Sequence, residues 1–95
     1  MTPAGAERVV SAVVPSLRVD VLGARAFKVS RSYFARGVAA GNVLVGGEPA
    51  GKSASVEPGQ EVEAIGLGSF VLVTVDGATR SDNLKVTLAV RPGGR

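Results

Sequence analysis

Five basic side chains lie between residues 16 and 45, with a single acidic residue among them. The bases are Arg18, Arg25, Lys28, Arg31 and Arg36, and the acid is Asp20. Residues 46–65 reverse the sign, because Glu48, Glu57, Glu61 and Glu63 stand there against Lys52 alone. The local net charges are therefore +4 and −3. Guanidinium and ammonium groups pair with phosphate oxygens, so this segregation of charge predicts a surface that meets phosphates.

This chain has few side chains that could act in catalysis or bind a metal ion. The 95 residues include no histidine and no cysteine, so the commonest general base, thiolate metal ligands and disulfides are all excluded. We therefore expect no enzymatic activity, no metal and no cofactor. The sequence has no apolar run of membrane-spanning length, and its start lacks the pattern of a signal peptide. Together with the absence of cysteine, this favours a cytoplasmic protein without membrane contact.

Residues 46–53 match the pattern of a phosphate-binding P-loop, which would imply a nucleotide-binding protein. The apolar stretch 71–75 and the following Asp76 even resemble a Walker B strand. A P-loop runs directly into a helix whose N-terminus holds the phosphates. The turn at Pro58-Gly59 comes too soon after Ser53 to leave room for such a helix. We interpret the match as a coincidence in a glycine-rich turn.

The spacing of apolar residues predicts a strand and then a first helix. Residues 8–14 are short and β-branched, which indicates a strand ending before Pro15. Ser16 is a good N-cap for a helix over about 17–26, which Gly23 weakens. The apolar face of this helix is expected to comprise Leu17, Val21 and Ala24.

A second helix is predicted between Ser30, its N-cap, and Gly41, its left-handed stop. The core positions expected in this region are Phe27, Val29, Phe34 and Val38. Strand patterns follow at 43–45, 61–65, 69–75 and 84–90, with the third in the centre of the sheet. The turns between them are expected at Gly46-Gly47, Pro58-Gly59 and Asp76-Gly77. The fold class is α+β, with two short helices packed on a small, mostly antiparallel sheet.

Four short segments follow one another in a characteristic order. They are Leu17-Arg18-Val19-Asp20-Val21-Leu22, Ser30-Arg31-Ser32, Gly41-Asn42-Val43-Leu44-Val45 and Pro58-Gly59-Gln60-Glu61-Val62. In order and spacing they resemble the S-four RNA-binding domain, which is named after ribosomal small-subunit protein four. Residues 65–70 and 77–80 are similar to the C-terminal module of bacterial YlmH-type RNA-binding proteins. The resemblance spans about residues 14–90, and it divides the chain into an N-terminal arm and strand (1–15), the domain (16–90) and a disordered tail (91–95).

The resemblance implies RNA contacts on the two helices and the loop after them. The candidates by position are Arg18, Arg31 and Arg36, with Arg25 and Lys28 in support. It also implies a partner that is structured ribosomal RNA or tRNA, possibly on the ribosome, and a role in translation, ribosome assembly or ribosome rescue. The oligomeric state stays open.

The chain departs from the family pattern at several positions. Asn42 stands where family members usually have a lysine or arginine. Gly46-Gly47 replaces an Asn-Gly turn, and Gln60 replaces the aspartate after Pro-Gly. In the second helix, Phe34 and Gly37 replace a small residue and a leucine, which looks like an exchange of volume across one core site.

Other interpretations of the charged and aromatic residues stay open. Each base could be a solvated helix charge, and Arg18 could form a local ion pair with Asp20 that caps the first helix. Tyr33 could stack on a nucleobase of RNA or pack at the edge of the core. The acids Glu57, Glu61 and Glu63 could form the docking face of a protein-interaction module or the solvent side of one strand.

Overall fold

The computed structural model describes residues 8–51, 54–79 and 83–92. Within these ranges, two helices pack on a six-stranded antiparallel sheet, which confirms the predicted α+β class. Parts of several predictions lie outside the described residues, namely Lys52 and Ser53 of the P-loop pattern, Arg80, residues 1–7 of the N-terminal arm and residues 93–95 of the tail. Neither helix in the described part of the chain is long and apolar enough to cross a membrane.

The sheet is continuous from one end of the domain to the other. The helices are α1 (Val19–Phe27) and α2 (Arg31–Ala39), and the strands are β1 (Arg8–Val14), β2 (Val43–Val45), β3 (Glu48–Pro49), β4 (Glu61–Ala64), β5 (Gly68–Ala78) and β6 (Leu84–Pro92). The strand order is β1-β6-β5-β4-β2-β3, with every neighbouring pair antiparallel. Both helices follow β1 in the chain and precede β2, and their buried residues join the core cluster on one face of the sheet.

The period-two pattern of the strands separates a core face from an outer face. Val86, Leu88 and Val90 of β6 are fully buried, and the residues between them point away from the helices. In β4 the alternation buries Val62 and Ala64 and leaves the intervening glutamates exposed. Helical residues and inward strand residues form one cluster, so the core lies between the helices and the sheet.

Helix α1 begins later than predicted, because the chain before it belongs to a short extended pairing. The N-cap is Arg18, not Ser16, and its φ of −66° and ψ of 144° are extended. The amide of Val56 donates to the carbonyl of Leu17 at 2.8 Å. The amide of Val19 donates to a carbonyl of the same returning segment at 2.9 Å. These bonds hold Leu17 outside the helix, so its predicted place on the helical face was wrong. Val21 is buried as predicted, whereas Ala24 is only partly buried. The other buried apolar residues of α1 are Val19, Leu22 and Ala26.

Helix α2 is capped at both ends as predicted. The hydroxyl of Ser30 accepts a hydrogen bond from the Tyr33 amide at 3.0 Å. At the other end Gly41 has a φ of +82°. The amide of Asn42 donates to the carbonyl of Gly37 at 2.9 Å, which completes a Schellman motif. Phe34 and Val38 face the core as expected.

The volume exchange at Phe34 involves Gly23 of α1 rather than Gly37. A Cβ atom built on Gly23 would overlap the ring of Phe34, whereas one built on Gly37 would only touch Val43 at 3.8 Å. The Phe34 ring therefore lies directly on the backbone of α1. Phe27 stacks on this ring with 6.1 Å between centroids, so the two helices meet through an aromatic contact.

The turns explain two of the departures from the family pattern and correct one prediction. Gly46 and Gly47 both have positive φ, +61° and +91°, as a tight two-residue hairpin turn requires. The side-chain oxygen of Gln60 accepts from the Glu57 amide at 2.8 Å and closes the turn that contains Gly59. The predicted turn at Asp76-Gly77 was wrong, because β5 continues to Ala78 and pairs with β6 through register shifts there.

Replacing Gly23 with alanine should destabilise the domain, because the new methyl group would displace the Phe34 ring from a filled core. We expect Gly23→Ala to lower the free energy of unfolding by about 1–3 kcal/mol in urea denaturation. The matched control is Gly37→Ala in the other helix, which should raise stability by up to about 1 kcal/mol through helix propensity.

The close contact also predicts coupling between the two positions. The cost of Gly23→Ala should be smaller in a Phe34→Leu background, with a coupling energy of about 0.5–3 kcal/mol. Additive costs would show that Gly23 is not constrained by this ring.

Candidate nucleic-acid interface

The carboxylate of Asp20 lies between two of the predicted RNA-contacting arginines. Its side chain is only 8% exposed, and Oδ2 accepts a hydrogen bond from Nε of Arg31 at 3.2 Å. Its other oxygen, Oδ1, is 3.4 Å from Nε of Arg18. A carboxylate removed from water requires such partners. The expected ion pair between Arg18 and Asp20 is therefore present, and it includes Arg31 as well.

Local structure fixes all three members of this cluster. Asp20 lies in the first turn of α1, and its Oδ1 also accepts from the Val21 amide at 2.9 Å. Arg18 is held by its bridge to Ser55. Arg31 is the first residue of α2. The helix contact at Phe34 brings this end of α2 within reach of Asp20.

The ion pairs leave both arginines accessible to a ligand. The side chains of Arg18 and Arg31 are 42% and 53% exposed. Each contacts the carboxylate through Nε, and a guanidinium carries further N–H donors in a planar fork. Asp20 thus limits the orientations of both groups without covering them, which reduces the entropy lost when they bind a phosphate.

Arg25 and Lys28 lie together at the other end of α1, against strand β1. Both line a groove of about 450 Å³ beside Val10, Ser11 and Ala12. Arg25 also lines an adjoining groove of about 340 Å³. Lys85 of β6 shares this second groove, and residue spacing gave no indication of that neighbour. Lys28 has a φ of +58°, a left-handed conformation that ends the helix.

Arg36 lies on a third site, along the flank of α2. It lines a groove of about 480 Å³ with Tyr33, Asn42 and Ile65. Tyr33 is 51% exposed, so about half of its side chain is accessible to a ligand. Tyr33 and Arg36 are three residues apart in α2, and this spacing alone predicts that they lie on the same face of the helix. Asn42 and Ile65 could not be assigned to this groove before the fold was known.

The five predicted residues therefore have three different surroundings. Arg18 and Arg31 flank Asp20, Arg25 and Lys28 adjoin β1, and Arg36 stands apart. Glu61 and Glu63 are exposed on the outer side of β4, away from the helices. The structure thus separates the glutamates of this strand from the arginine and lysine side chains of the helices.

The described part of the P-loop pattern forms a hairpin instead of a phosphate-binding loop. Val45 of β2 pairs with Glu48 of β3 across the Gly46-Gly47 turn. After Lys52 and Ser53, which lie outside the described residues, Ser55 bridges to Arg18. The chain at 54–60 is therefore extended or in a turn, where a P-loop would require a helix.

Comparison with protein families identifies the central part of the chain. The family model of the S4 domain, the S-four family named above, matches residues 17–62. Residues 17–62 are an S4 domain. No curated protein matches the chain. The S4 domain is an RNA-binding module, and the match supports a general RNA-binding role.

The S4 match covers the helices and the first strands after them, but not the whole sheet. It includes α1, α2, β2 and β3, and it ends within β4. All five candidate basic residues lie inside it. Strands β1, β5 and β6 lie outside it and complete the sheet on which the S4 helices rest.

Replacing Asp20 with asparagine should weaken the domain, because two guanidinium groups lose their charged acceptor. We expect Asp20→Asn to lower the free energy of unfolding by about 1–2 kcal/mol in urea denaturation. The matched control is Glu63→Gln, which removes the same charge on an exposed strand position and should change stability by less than about 0.5 kcal/mol. Equal losses for the two variants would contradict a structural role for the Asp20 cluster.

Proposed function

We propose that this protein binds structured RNA, either ribosomal RNA or tRNA, through the exposed surface of α1 and α2. The observation that carries the proposal is the pair of guanidinium groups held by Asp20 within a matched S4 domain. Its biological setting would be translation, as a factor in ribosome assembly or ribosome rescue. A closer relationship to YlmH-type proteins would fit this setting, and it too is part of the proposal.

The fixed cationic groups of this surface favour recognition of an RNA double helix through its backbone rather than recognition of a particular base sequence. An A-form helix is recognised through its phosphates, its 2′-hydroxyls and its shape. Such recognition requires cationic groups held at fixed positions on a rigid surface. The two arginines at Asp20 meet this requirement, because one buried carboxylate and two helix starts determine where they lie.

The N-terminus of α2 adds backbone donors to this surface. The first amides of a helix have no acceptor within the helix, and they favour an anion together with the helix dipole. The Ser30 hydroxyl accepts from the Tyr33 amide. The amides of Arg31 and Ser32, the first two residues of α2, have no acceptor within the helix. A phosphate near Arg31 would meet both a side-chain charge and these donors.

The protein-interaction alternative depends on the acids of β4. Glu61 and Glu63 do lie together on the outer face of the sheet. Arg91 of β6 lines the same outer groove as Glu61, so this face carries both signs of charge. The single-sign helical surface favours RNA over a basic protein partner.

Binding to structured RNA should weaken steeply with salt, because each phosphate contact releases a counterion. We expect the logarithm of the affinity to fall linearly with the logarithm of the salt concentration, by roughly 0.7–0.9 per phosphate contacted. Fluorescence polarisation of a labelled RNA hairpin between low and physiological salt measures this slope. A flat profile would contradict the proposed cationic interface.

Arg31→Ala should weaken RNA binding by about 1.5–3 kcal/mol, since charge-assisted hydrogen bonds to phosphate are lost at the α2 N-terminus. The matched control is Arg91→Ala, which removes the same charge on the outer face and should cost well under about 1 kcal/mol. Lys85 is unsuitable as this control because it shares a groove with Arg25.

Both variants should be titrated at one salt concentration, with circular dichroism to confirm that they fold. Equal losses would mean that binding depends on overall charge and not on a site. A larger loss for Arg91→Ala would place the RNA on the outer face of the sheet.

A further inference from the structure

The groove beside α2 has properties that phosphate binding does not explain. Its walls are the flank of α2 on one side and the turn after β4 on the other, and its volume is about 480 Å³. Tyr33 on one wall is 51% exposed, and Ile65 on the other is 60% exposed. Both are among the few large apolar side chains that the described residues leave exposed. A phosphate would gain nothing from the Ile65 side chain or from the face of the Tyr33 ring, so the groove suits a flat apolar group.

Backbone hydrogen bonds hold both walls in place. The Ile65 amide donates to the carbonyl of Asn42 at 2.9 Å, which ties the turn to the end of α2. The Leu67 amide donates to the Ala64 carbonyl at 2.9 Å and closes the turn itself. The Schellman motif fixes Asn42 in the same way from the helix side. The groove is therefore formed before any ligand binds.

The polar groups around the groove match the edges and the charge of a nucleotide. Arg36 lies one turn beyond Tyr33 on the same flank of α2. Asn42 has used its backbone groups, and its exposed side-chain amide makes no hydrogen bond to any residue that the structure describes. An amide can donate to and accept from the edge of a base. The described residues that line the groove include no carboxylate, which keeps it compatible with a polyanion.

We propose that this groove receives one unpaired nucleobase of the bound RNA. The base stacks on the Tyr33 ring, Ile65 covers its other side, and the guanidinium of Arg36 meets the adjoining phosphate or stacks at the rim. Asn42 contacts the edge of the base. This site rests on the proposed function, because it requires RNA to lie on α2, and it adds recognition of a bulged or looped nucleotide next to the paired region.

The direct test compares two RNA hairpins that differ by a single unpaired nucleotide in the stem. The unpaired position carries 2-aminopurine, whose fluorescence falls when it stacks. Wild-type protein should bind the bulged hairpin about tenfold more tightly than the paired one, as one base stacked on an aromatic side chain provides. Binding should also quench the 2-aminopurine.

Variants of Tyr33 assign the preference to the groove. Tyr33→Ala should abolish both the tenfold preference and the quenching, with affinity for the paired hairpin changed by less than about twofold. Tyr33→Phe keeps the ring and should retain both. Val73→Ala, which shortens an exposed apolar side chain on β5 outside the groove, is the matched control and should behave like the wild type.

The outcomes separate this inference from the proposed function. Equal wild-type affinity for the two hairpins, or a preference that survives Tyr33→Ala, would overturn the nucleobase site and leave RNA binding intact. Failure of the wild-type protein to bind either hairpin at low salt would overturn the proposed function and this site with it.

Discussion

The close packing of α1 against α2 at Gly23 and Phe34 is the constraint on which the candidate interface depends. Because residue 23 has no side chain, the Phe34 ring lies on the α1 backbone and the helices approach closely. This approach brings the first residue of α2 to the first turn of α1, where Asp20 accepts from Arg31. The same carboxylate orients Arg18. A core contact between two helices thus determines where two surface cations lie.

The returning segment at 54–56 and the sheet hold the two helices and Arg18 in place. The segment at 54–56 pairs with the chain before α1 and fixes Arg18 at the helix start. Strands β1, β5 and β6 provide buried residues under the helices and carry their own charges on the outer face. The domain therefore presents different chemistry on its two sides. The helical side carries arginine side chains held by Asp20 and the groove lined by Tyr33, whereas the sheet side carries charges of both signs.

Sequence patterns predicted the elements whose local chemistry is decisive. The strand at 8–14, the capping of α2 by Ser30 and Gly41, and the half-exposed strand β4 are all confirmed. These features depend on neighbouring residues, namely on alternation, hydroxyl caps and glycine at positive φ. The four segments that resemble the S4 domain lie within the residues that the family model matches. The RNA contacts of the five basic residues stay a prediction.

What only the tertiary structure decided are the relationships between residues far apart in the chain. The pairing of residues 17–19 with 54–56 moved the start of α1, because backbone bonds to a distant segment outweighed the cap at Ser16. Pairing with β6 likewise carried β5 past the turn expected at Asp76-Gly77. The sequence by itself determined the charge of the helical segment and the type of both helices and of strands β1, β2, β4, β5 and β6. The fold determined which charges share a carboxylate, which face a groove and which stand apart, since those distances depend on packing rather than on spacing along the chain.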